Sequence, residues 1–435
     1  MISSAVFRPG PLKKPKGFPD PGVFPGVLMS LLEKLSLRES WERFYQYKTS
    51  LACPKSQIRE LRAFIDEEAW APVCENIREG KPFPLPRKAV ISKLSSQKKR
   101  TVYVYPEAEN RVLKLLTHLL LRKYDALFSR NLYSFRPGRN AKDAVRTILA
   151  IPGIDRKYAY KADIHDYFNS IPVEKLLPEL QAVTGGDPAL YSFLSALLLE
   201  PRVLDRGTPH EERKGIMAGT PLSSFYANLY LRDLDALFER EGIPYVRYSD
   251  DIIVFRDSME ECQSSAERIR AFLAEKGLSM NPDKEQFFAP EDGFIFLGFS
   301  YRAGVIDIAP ASVLKLKGKM RRKARALSRW QDRSCLSPDK AARAFIRIFN
   351  RKLLEEADGS DLSWSRWFFS VINTTESLRV IDHYAQDCLR VLLSGTRTKA
   401  RYNARYEDLK ALGYRSLVHA YYAYRKDEAT SSDSG

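Results

Sequence analysis

The sequence has few of the residues that metal-ligated or disulfide-bonded folds depend on. Its 435 residues include five cysteines and five histidines, and no two cysteines have CxxC spacing. An odd number of scattered cysteines argues against a disulfide framework, and dispersed histidines argue against a structural zinc site. We therefore expect reduced thiols and a cytoplasmic protein.

Long apolar runs and glycine-rich loops are also missing. No stretch reaches the roughly 18 apolar residues that a membrane-spanning helix needs. The first 26 residues contain six prolines and no apolar segment typical of a signal peptide. We find no phosphate-binding glycine loop and no internal repeat. These absences predict a soluble protein with no membrane partner.

Positive charge is what the sequence has in excess. Lysine and arginine number 70 against 54 aspartates and glutamates, which gives a net charge of +16. Such a balance favours an anionic partner, most often nucleic acid, although a solvated basic surface is the alternative. The densest basic run lies at residues 312–330, which contain eight lysines and arginines and no acid. We expect this run to contact a nucleic-acid duplex or a structured RNA.

Local patterns divide the chain into five segments. Residues 1–26 form a proline-rich arm, and apolar residues at three- and four-residue spacing predict a helical region at 27–95. Strand and helix patterns then mix over 96–305, which predicts an α+β core. Residues 306–425 are helical and basic, and the polar residues 426–435 predict a disordered tail.

Two adjacent acids interrupt the apolar stretch "YVRYSDDIIVF" at residues 245–255. Asp250 and Asp251 there predict a hairpin turn, and a polar turn without chemistry is the simplest interpretation. However, Asp163 follows a second apolar strand, "YAYKA". Three carboxylates at one sheet edge would repel one another unless cations neutralise them, and their oxygens suit Mg²⁺. Two such ions would support nucleotidyl transfer.

Six segments resemble, in order, the motifs of reverse transcriptases. The first, "LYSFRPGRNAKDAV", is similar to the segment before the palm in bacterial enzymes such as group II intron proteins. The palm motifs follow as "KADIHDYFNSIP", "GIMAGTPLSSFYANLYL", "YSDDIIVF", "LSMNPDKEQFF" and "FIFLGF". The resemblance covers about residues 95–305. It implies a right-hand polymerase with fingers, an antiparallel palm sheet and a helical thumb.

The resemblance also implies roles at the reaction centre. Asp163, Asp250 and Asp251 would hold two Mg²⁺ ions, with Mn²⁺ as a substitute and the Ile164 carbonyl as an extra ligand. Lys284 would lie near the leaving pyrophosphate as a general acid, with a surface lysine as the alternative. Phe168 matches the gate against the ribose 2′-hydroxyl, with a core phenylalanine as the alternative.

Further residues are assigned to the substrates in the same way. Arg100 would bind the incoming triphosphate. Gly219 and Pro221 open the helix near the nascent base pair, and Asn228 would either face the nucleotide or cap a neighbouring loop. Arg136 and Arg139 would bind phosphates or pair with acids. The residues expected to contact nucleic acid are Arg136, Arg139, Gly298, Lys319, Arg321 and Arg322.

One segment departs from the family pattern. Met217 and Ala218 precede Gly219 where reverse transcriptases carry Pro-Gln-Gly, so template handling is expected to differ. Such departures resemble diverged bacterial enzymes, including those of phage defence. We expect a polymerase that uses dNTPs to copy a dedicated non-coding RNA into DNA. The alternatives are a maturase-like RNA-binding protein and a template-independent or RNA-synthesising polymerase. The sequence contains no Cys/His cluster of the kind that indicates an HNH nuclease. This absence favours a role in phage defence over a role in a mobile intron.

Overall fold

The structure is a computed structural model, and it describes residues 29–51, 53–92, 99–212, 215–355 and 364–432. The predicted proline-rich arm lies outside these residues, so its conformation stays a prediction. Within them, helices pack around three β-sheets. The predicted α+β class is confirmed.

Four helices precede the first sheet and pack beside the long helix α5. Trp41 is fully buried among them, and its Nε1–H donates to the Leu35 carbonyl at 2.8 Å. Apolar residues at helical spacing bury one face of each long helix, as the sequence pattern predicts. These helices are α1 (Leu31–Leu35), α2 (Arg38–Thr49), α3 (Lys55–Asp66), α4 (Ala71–Arg78) and α5 (Glu107–Lys123).

The first sheet has the strand order β2-β1-β4-β5. Its strands are β1 (Arg87–Ser92), β2 (Lys99–Val104), β4 (Arg202–Asp205) and β5 (Thr208–Glu211). β1 and β2 are antiparallel, whereas β4 joins β1 in parallel. The predicted helical boundary at residue 95 is therefore wrong. Helices end at Arg78 because three prolines follow at 82, 84 and 86, and β1 then pairs with β2.

The central sheet, which we call the palm sheet, has the antiparallel order β6-β7-β3-β8. Its strands are β3 (Tyr158–Asp163), β6 (Tyr245–Tyr248), β7 (Asp251–Arg256) and β8 (Gln286–Phe288). Residues alternate between two cores: Tyr160 and Ile252 face one, and Ala159 and Ile253 face the other. The helices of this part of the chain are α6 (Ala141–Leu149), α7 (Tyr167–Ser170), α8 (Val173–Thr184), α9 (Pro188–Leu199), α10 (Ser223–Tyr230), α11 (Arg232–Arg240) and α12 (Met259–Glu275).

A small sheet links the palm sheet to the C-terminal helices. It contains β9 (Phe294–Phe296), β10 (Phe299–Arg302) and β11 (Val305–Ile308). The helices that follow are α13 (Pro310–Arg333), α14 (Pro338–Leu353), α15 (Trp364–Phe369), α16 (Glu376–Ser394), α17 (Tyr406–Ala411) and α18 (Leu417–Ser432). In the basic helix α13, only every seventh residue is buried, at Val313, Met320 and Leu327. The rest of its surface carries the positive charge.

The end of the chain differs from its prediction. The tail predicted to be disordered from residue 426 is helical through Ser432, because α18 extends that far. The Tyr424 hydroxyl donates to Glu428 at 2.7 Å, one turn along, which supports the helix at this point. Across the described part of the chain, no helix combines the length and the apolar character that crossing a membrane requires.

Candidate active site

The register of the palm sheet brings the three predicted aspartates to one edge. Asp163 ends β3 directly opposite Asp251, the first residue of β7. Asp250 lies beside it in the two-residue turn between β6 and β7, where Ser249 has φ of 61°. The Ile164 N–H donates to the Asp250 carbonyl at 3.1 Å and fixes this turn against β3. The predicted hairpin and its neighbouring carboxylates are therefore present.

The electrostatics of this edge suit a cation. Burial and the neighbouring carboxylate Asp163 raise the pKa of Asp250, and burial together with Asp250 raises the pKa of Asp251 to about 6. The Lys284 ammonium lies 2.6 Å from Asp163 Oδ1. In the described ranges, no three acidic, histidine or cysteine side chains converge on a single metal position. Even so, crowded carboxylates with raised pKa values are the donor set that a divalent cation stabilises.

A buried ion pair supports the turn between β6 and β7. Arg247, on β6, and Asp235, on α11, are both fully buried. Arg247 donates from Nε to Asp235 Oδ1 at 2.7 Å and from Nη2 to Oδ2 at 2.5 Å. Its Nη1 also donates to the Ser249 carbonyl at 3.1 Å. Sequence reasoning missed this pair, which ties the turn to the helix beneath it.

A second set of buried hydrogen bonds, through Ser134, supports the turn between β6 and β7. The Ser249 N–H donates to Ser134 Oγ at 2.8 Å, and Asn228 Nδ2 donates to the Ser134 carbonyl at 2.9 Å. Asn228 is fully buried. The side chain of Asn228 therefore binds the neighbouring loop at Ser134, which is the alternative to the predicted nucleotide contact. Because Asn228 has no exposed surface, it would reach a nucleotide only after the core repacks, and that contact stays a prediction.

Arg136 is also a structural residue. Its side chain is 4 % exposed and pairs with Asp125 at 2.8 Å. Its Nη1 donates to the Ser129 carbonyl at 2.6 Å. These partners occupy the guanidinium group of Arg136, which is the acid-pairing alternative, and its phosphate contact stays a prediction. Arg139 is half-buried, donates to the Arg130 carbonyl and lies over the Tyr133 ring, so its phosphate contact stays a prediction.

The loop at residues 215–219 joins the palm to the first sheet. The Ile216 N–H donates to the Phe168 carbonyl, and the Tyr103 N–H donates to the Ala218 carbonyl, both at 2.9 Å. Gly219 has φ of +99°, and a Cβ there would lie 2.9 Å from Val102 Cβ. Only glycine fits this approach. The loop is thereby fixed to β2, the strand that carries Arg100.

The predicted substrate residues around this loop are accessible to different degrees. Arg100 is exposed, whereas Phe168 and Pro221 are half-buried. Pro221 follows the loop directly, and its carbonyl accepts a hydrogen bond from the Ser224 hydroxyl at 3.1 Å. The roles assigned to these three residues and to Gly219 stay predictions.

Backbone strain concentrates in the loops that carry the resembling motifs. A non-glycine residue with positive φ is uncommon, and such strain often marks functional sites. Nine such residues occur in the described part of the chain, and five of them lie in the loops that carry the resembling motifs. The five are Phe135, Asp166, Met217, Ser249 and Leu297. Their positions agree with a preorganised site.

The predicted nucleic-acid contacts farther along the chain are placed as follows. Gly298 has φ of +88° in the turn between β9 and β10, and its carbonyl accepts from the Ala309 N–H at 2.9 Å. Lys319, Arg321 and Arg322 are exposed on α13. The structure leaves these cations accessible, and their contact with nucleic acid stays a prediction.

Comparison with known proteins identifies a reverse transcriptase domain in the chain. Residues 89–301 match the family described as reverse transcriptase (RNA-dependent DNA polymerase). The group II intron-encoded protein LtrA of Lactococcus lactis subsp. cremoris is 21% identical over 347 residues, covering 64% of this chain and 56% of LtrA. The retron Mx65 reverse transcriptase of Myxococcus xanthus is 27% identical over 229 residues, covering 48% of each protein. The chain thus spans about half the length of these curated relatives.

One solved structure shows a low structural similarity to this chain. Telomerase from Candida albicans, in complex with a fragment of telomeric RNA, aligns with a TM-score of 0.43 and 11% identity over 77% of this chain and 66% of that one. The family match, together with the order of the palm motifs, agrees with the predicted right-hand polymerase fold. The chain therefore contains a reverse transcriptase domain at residues 89–301 and is similar to bacterial reverse transcriptases.

Proposed function

We propose that this protein is an RNA-directed DNA polymerase that extends a 3′-hydroxyl with dNTPs. The observation that carries the proposal is the pairing of Asp163 with Asp251 beside the turn residue Asp250. This arrangement lies within the reverse transcriptase domain. Three carboxylates at one sheet edge support the proposal that a nucleotide and a primer end meet there.

Reverse transcriptases generally use divalent metal ions. We propose that Asp163, Asp250 and Asp251 hold two Mg²⁺ ions, which would lower the pKa of the attacking hydroxyl and stabilise the leaving pyrophosphate. Lys284, already 2.6 Å from Asp163, is placed to donate a proton to the leaving group. Exposed Arg100 is suited to bind the triphosphate oxygens.

We further propose a dedicated structured RNA as the template. The exposed cations of α13, including Lys319, Arg321 and Arg322, offer a surface for the phosphates of a duplex. The relatives named above support the same idea, because one is encoded by a group II intron and another belongs to a retron. RNA enriched in the purified protein would be expected, and its absence would count against a dedicated template.

Primer extension tests the function directly. We expect wild-type protein with Mg²⁺ to extend a DNA primer on an RNA template with dNTPs, and Asp251→Asn to lose this activity. Each dNTP and rNTP is supplied separately, with and without template. Extension without a template would favour the template-independent alternative. Tight RNA binding with no extension on any template, including RNA that copurifies, would favour the RNA-binding alternative.

Sugar selection gives a sharper prediction. Phe168 is the proposed gate, so Phe168→Ala is expected to raise the use of rNTPs relative to dNTPs by at least about tenfold, since one steric contact is worth about 1–3 kcal/mol. The measurement is the ratio of kcat/KM for dCTP and CTP. Phe272→Ala, which removes a half-buried ring from α12, is the matched control and should leave the ratio unchanged. An unchanged ratio in Phe168→Ala would mean that Phe168 only packs in the core and does not select the sugar.

The predicted role in phage defence is tested in cells. Cells carrying the gene with its native neighbours should survive phage challenge better than cells carrying Asp250→Asn/Asp251→Asn. Equal survival would remove the defence role and leave the polymerase proposal untouched.

A further inference from the structure

An aromatic side chain is held exposed beside the proposed sugar gate. Phe135 is 42% exposed and has φ of 57°. A bulky residue without a glycine's freedom adopts this conformation only when its surroundings impose it. An exposed ring also loses the burial that normally favours phenylalanine. Neither the exposed ring nor the positive φ of Phe135 stabilises the fold, which suggests that this residue has a functional role.

The residues on either side of Phe135 are anchored in the core. Ser134 is fully buried and is bonded to both Asn228 and the N–H of Ser249 in the catalytic turn. Arg136 is bonded to Asp125 and to the Ser129 carbonyl. The strained residue therefore lies between two fixed neighbours. Its position is set by the same contacts that hold the catalytic turn.

The ring of Phe135 contacts the ring of Phe168. Their centroids are 6.3 Å apart with an interplanar angle of 79°, an edge-to-face arrangement. The buried Tyr167 meets Phe168 at 5.6 Å and 62°. The Phe168 carbonyl is bonded to the Ile216 N–H. The backbone of Phe168 is thus fixed by the 215–219 loop, and its ring contacts Phe135 and Tyr167.

We propose that Phe135 is a positioning residue that sets the orientation of the Phe168 ring and thereby the selection of deoxyribonucleotides. A half-buried phenylalanine with one aromatic neighbour would rotate between staggered positions. The second contact, from Phe135, restricts that rotation and keeps the ring where a ribose 2′-hydroxyl would meet it. The inference rests on the proposed function and names what determines its sugar specificity.

Single and double variants test this coupling. The measurement is the ratio of kcat/KM for dCTP and CTP in wild type, Phe135→Ala, Phe168→Ala and the double variant. Phe135→Ala is expected to lower the ratio roughly fivefold, in line with one aromatic contact. The double variant is expected to match Phe168→Ala alone, because Phe135 acts only through Phe168. Phe135→Tyr keeps the ring and should keep the ratio.

Phe135→Gly separates the ring from the backbone strain. Glycine adopts the left-handed conformation without steric strain. The melting temperature of the Phe135→Gly variant should therefore equal or exceed that of the wild-type protein. Its sugar ratio should nevertheless fall as in Phe135→Ala. A ratio unchanged in both variants, while wild type discriminates, would overturn this inference alone. A wild-type protein that incorporates neither sugar on any template would overturn the proposed function, and this inference with it.

Discussion

Replacing Asp250 and Asp251 together with asparagine is expected to abolish nucleotide incorporation while stabilising the metal-free protein at pH 8. The two effects have one cause. Asp250 in the turn and Asp251 at the start of β7 are partly buried beside Asp163, and their mutual repulsion is what a divalent cation would relieve. Asparagine removes the repulsion and also removes the carboxylates that we propose as metal ligands.

The loss of activity should be at least about a thousandfold, because metal ligands supply several kcal/mol of transition-state stabilisation. The measurement is single-nucleotide extension of a DNA primer on an RNA template. Asp332→Asn, which removes an exposed carboxylate from α13, is the control and should retain full activity. Incorporation at more than about a tenth of the wild-type rate would mean that these carboxylates are not the essential ligands.

The stability effect depends on pH in a defined direction. The pKa of Asp251 is raised from 3.8 to about 6 in the folded state, so its charge opposes folding above pH 6. This penalty, on the order of 2–3 kcal/mol, is fully present at pH 8 and disappears as the pH falls below the unfolded value near 4. The double variant should therefore unfold at a higher urea concentration than wild type at pH 8, and at a similar concentration at pH 4.

Added Mg²⁺ should relieve the same repulsion between carboxylates in the wild-type protein. Wild-type protein is expected to melt at a higher temperature when Mg²⁺ is added at pH 8, because the cation binds the folded carboxylates. The double variant should show no such rise, whereas Asp332→Asn should behave as wild type. An equal rise in both the wild type and the double variant would place the stabilising ion elsewhere.

The local features of this site could be predicted from the sequence because they depend on neighbours along the chain. The apolar runs on either side of Asp250 and Asp251 indicate the hairpin, and the apolar strand before Asp163 indicates its partner. The chemistry of adjacent carboxylates then suggests a cation. The register that opposes Asp163 to Asp251 required the folded sheet.

The partners of Asn228 and Arg136 could not be predicted because each partner lies outside the motif that contains the residue. Asn228 and Ser134 are 94 positions apart, and no local pattern distinguishes an asparagine that binds a loop from one that faces a substrate. Arg136 pairs with Asp125, which lies in the helical turn before the motif. The motif itself does not indicate that Arg136 is buried against this acid. The parallel pairing of β1 with β4, over a hundred positions later, was missed for the same reason.

One missed feature did leave a signal. In α11, the buried positions are Leu234, Asp235 and Phe238, so an acid occupies the apolar face of an amphipathic helix. In β6, Arg247 occupies a buried position within an aromatic and apolar strand. Two opposite charges at core positions of consecutive elements predict a buried pair, since neither charge is tolerated there alone.

Removing one partner of that pair should destabilise the protein more than any other single substitution considered above. Asp235→Ala would leave the Arg247 guanidinium buried without its carboxylate, at an expected cost of about 3–5 kcal/mol. Tyr245 would lose its acceptor as well, because its hydroxyl donates to Asp235 at 2.9 Å. Urea unfolding at pH 7 measures the loss. The exposed pair of Arg268 and Glu241, with side chains 39% and 36% exposed, is the control.

The control pair should cost at most about 1 kcal/mol when Glu241 becomes alanine, because water screens it. Replacing both core partners, as Asp235→Leu/Arg247→Met, should recover part of the stability lost by Asp235→Ala, since no charge is then left unpaired. Activity should not recover with it. Arg247 also donates to the carbonyl of Ser249, so methionine leaves the catalytic turn without this support. A stable double variant with wild-type extension would show that the turn holds its carboxylates without Arg247, whereas a stable but inactive one would assign the pair to the geometry of catalysis.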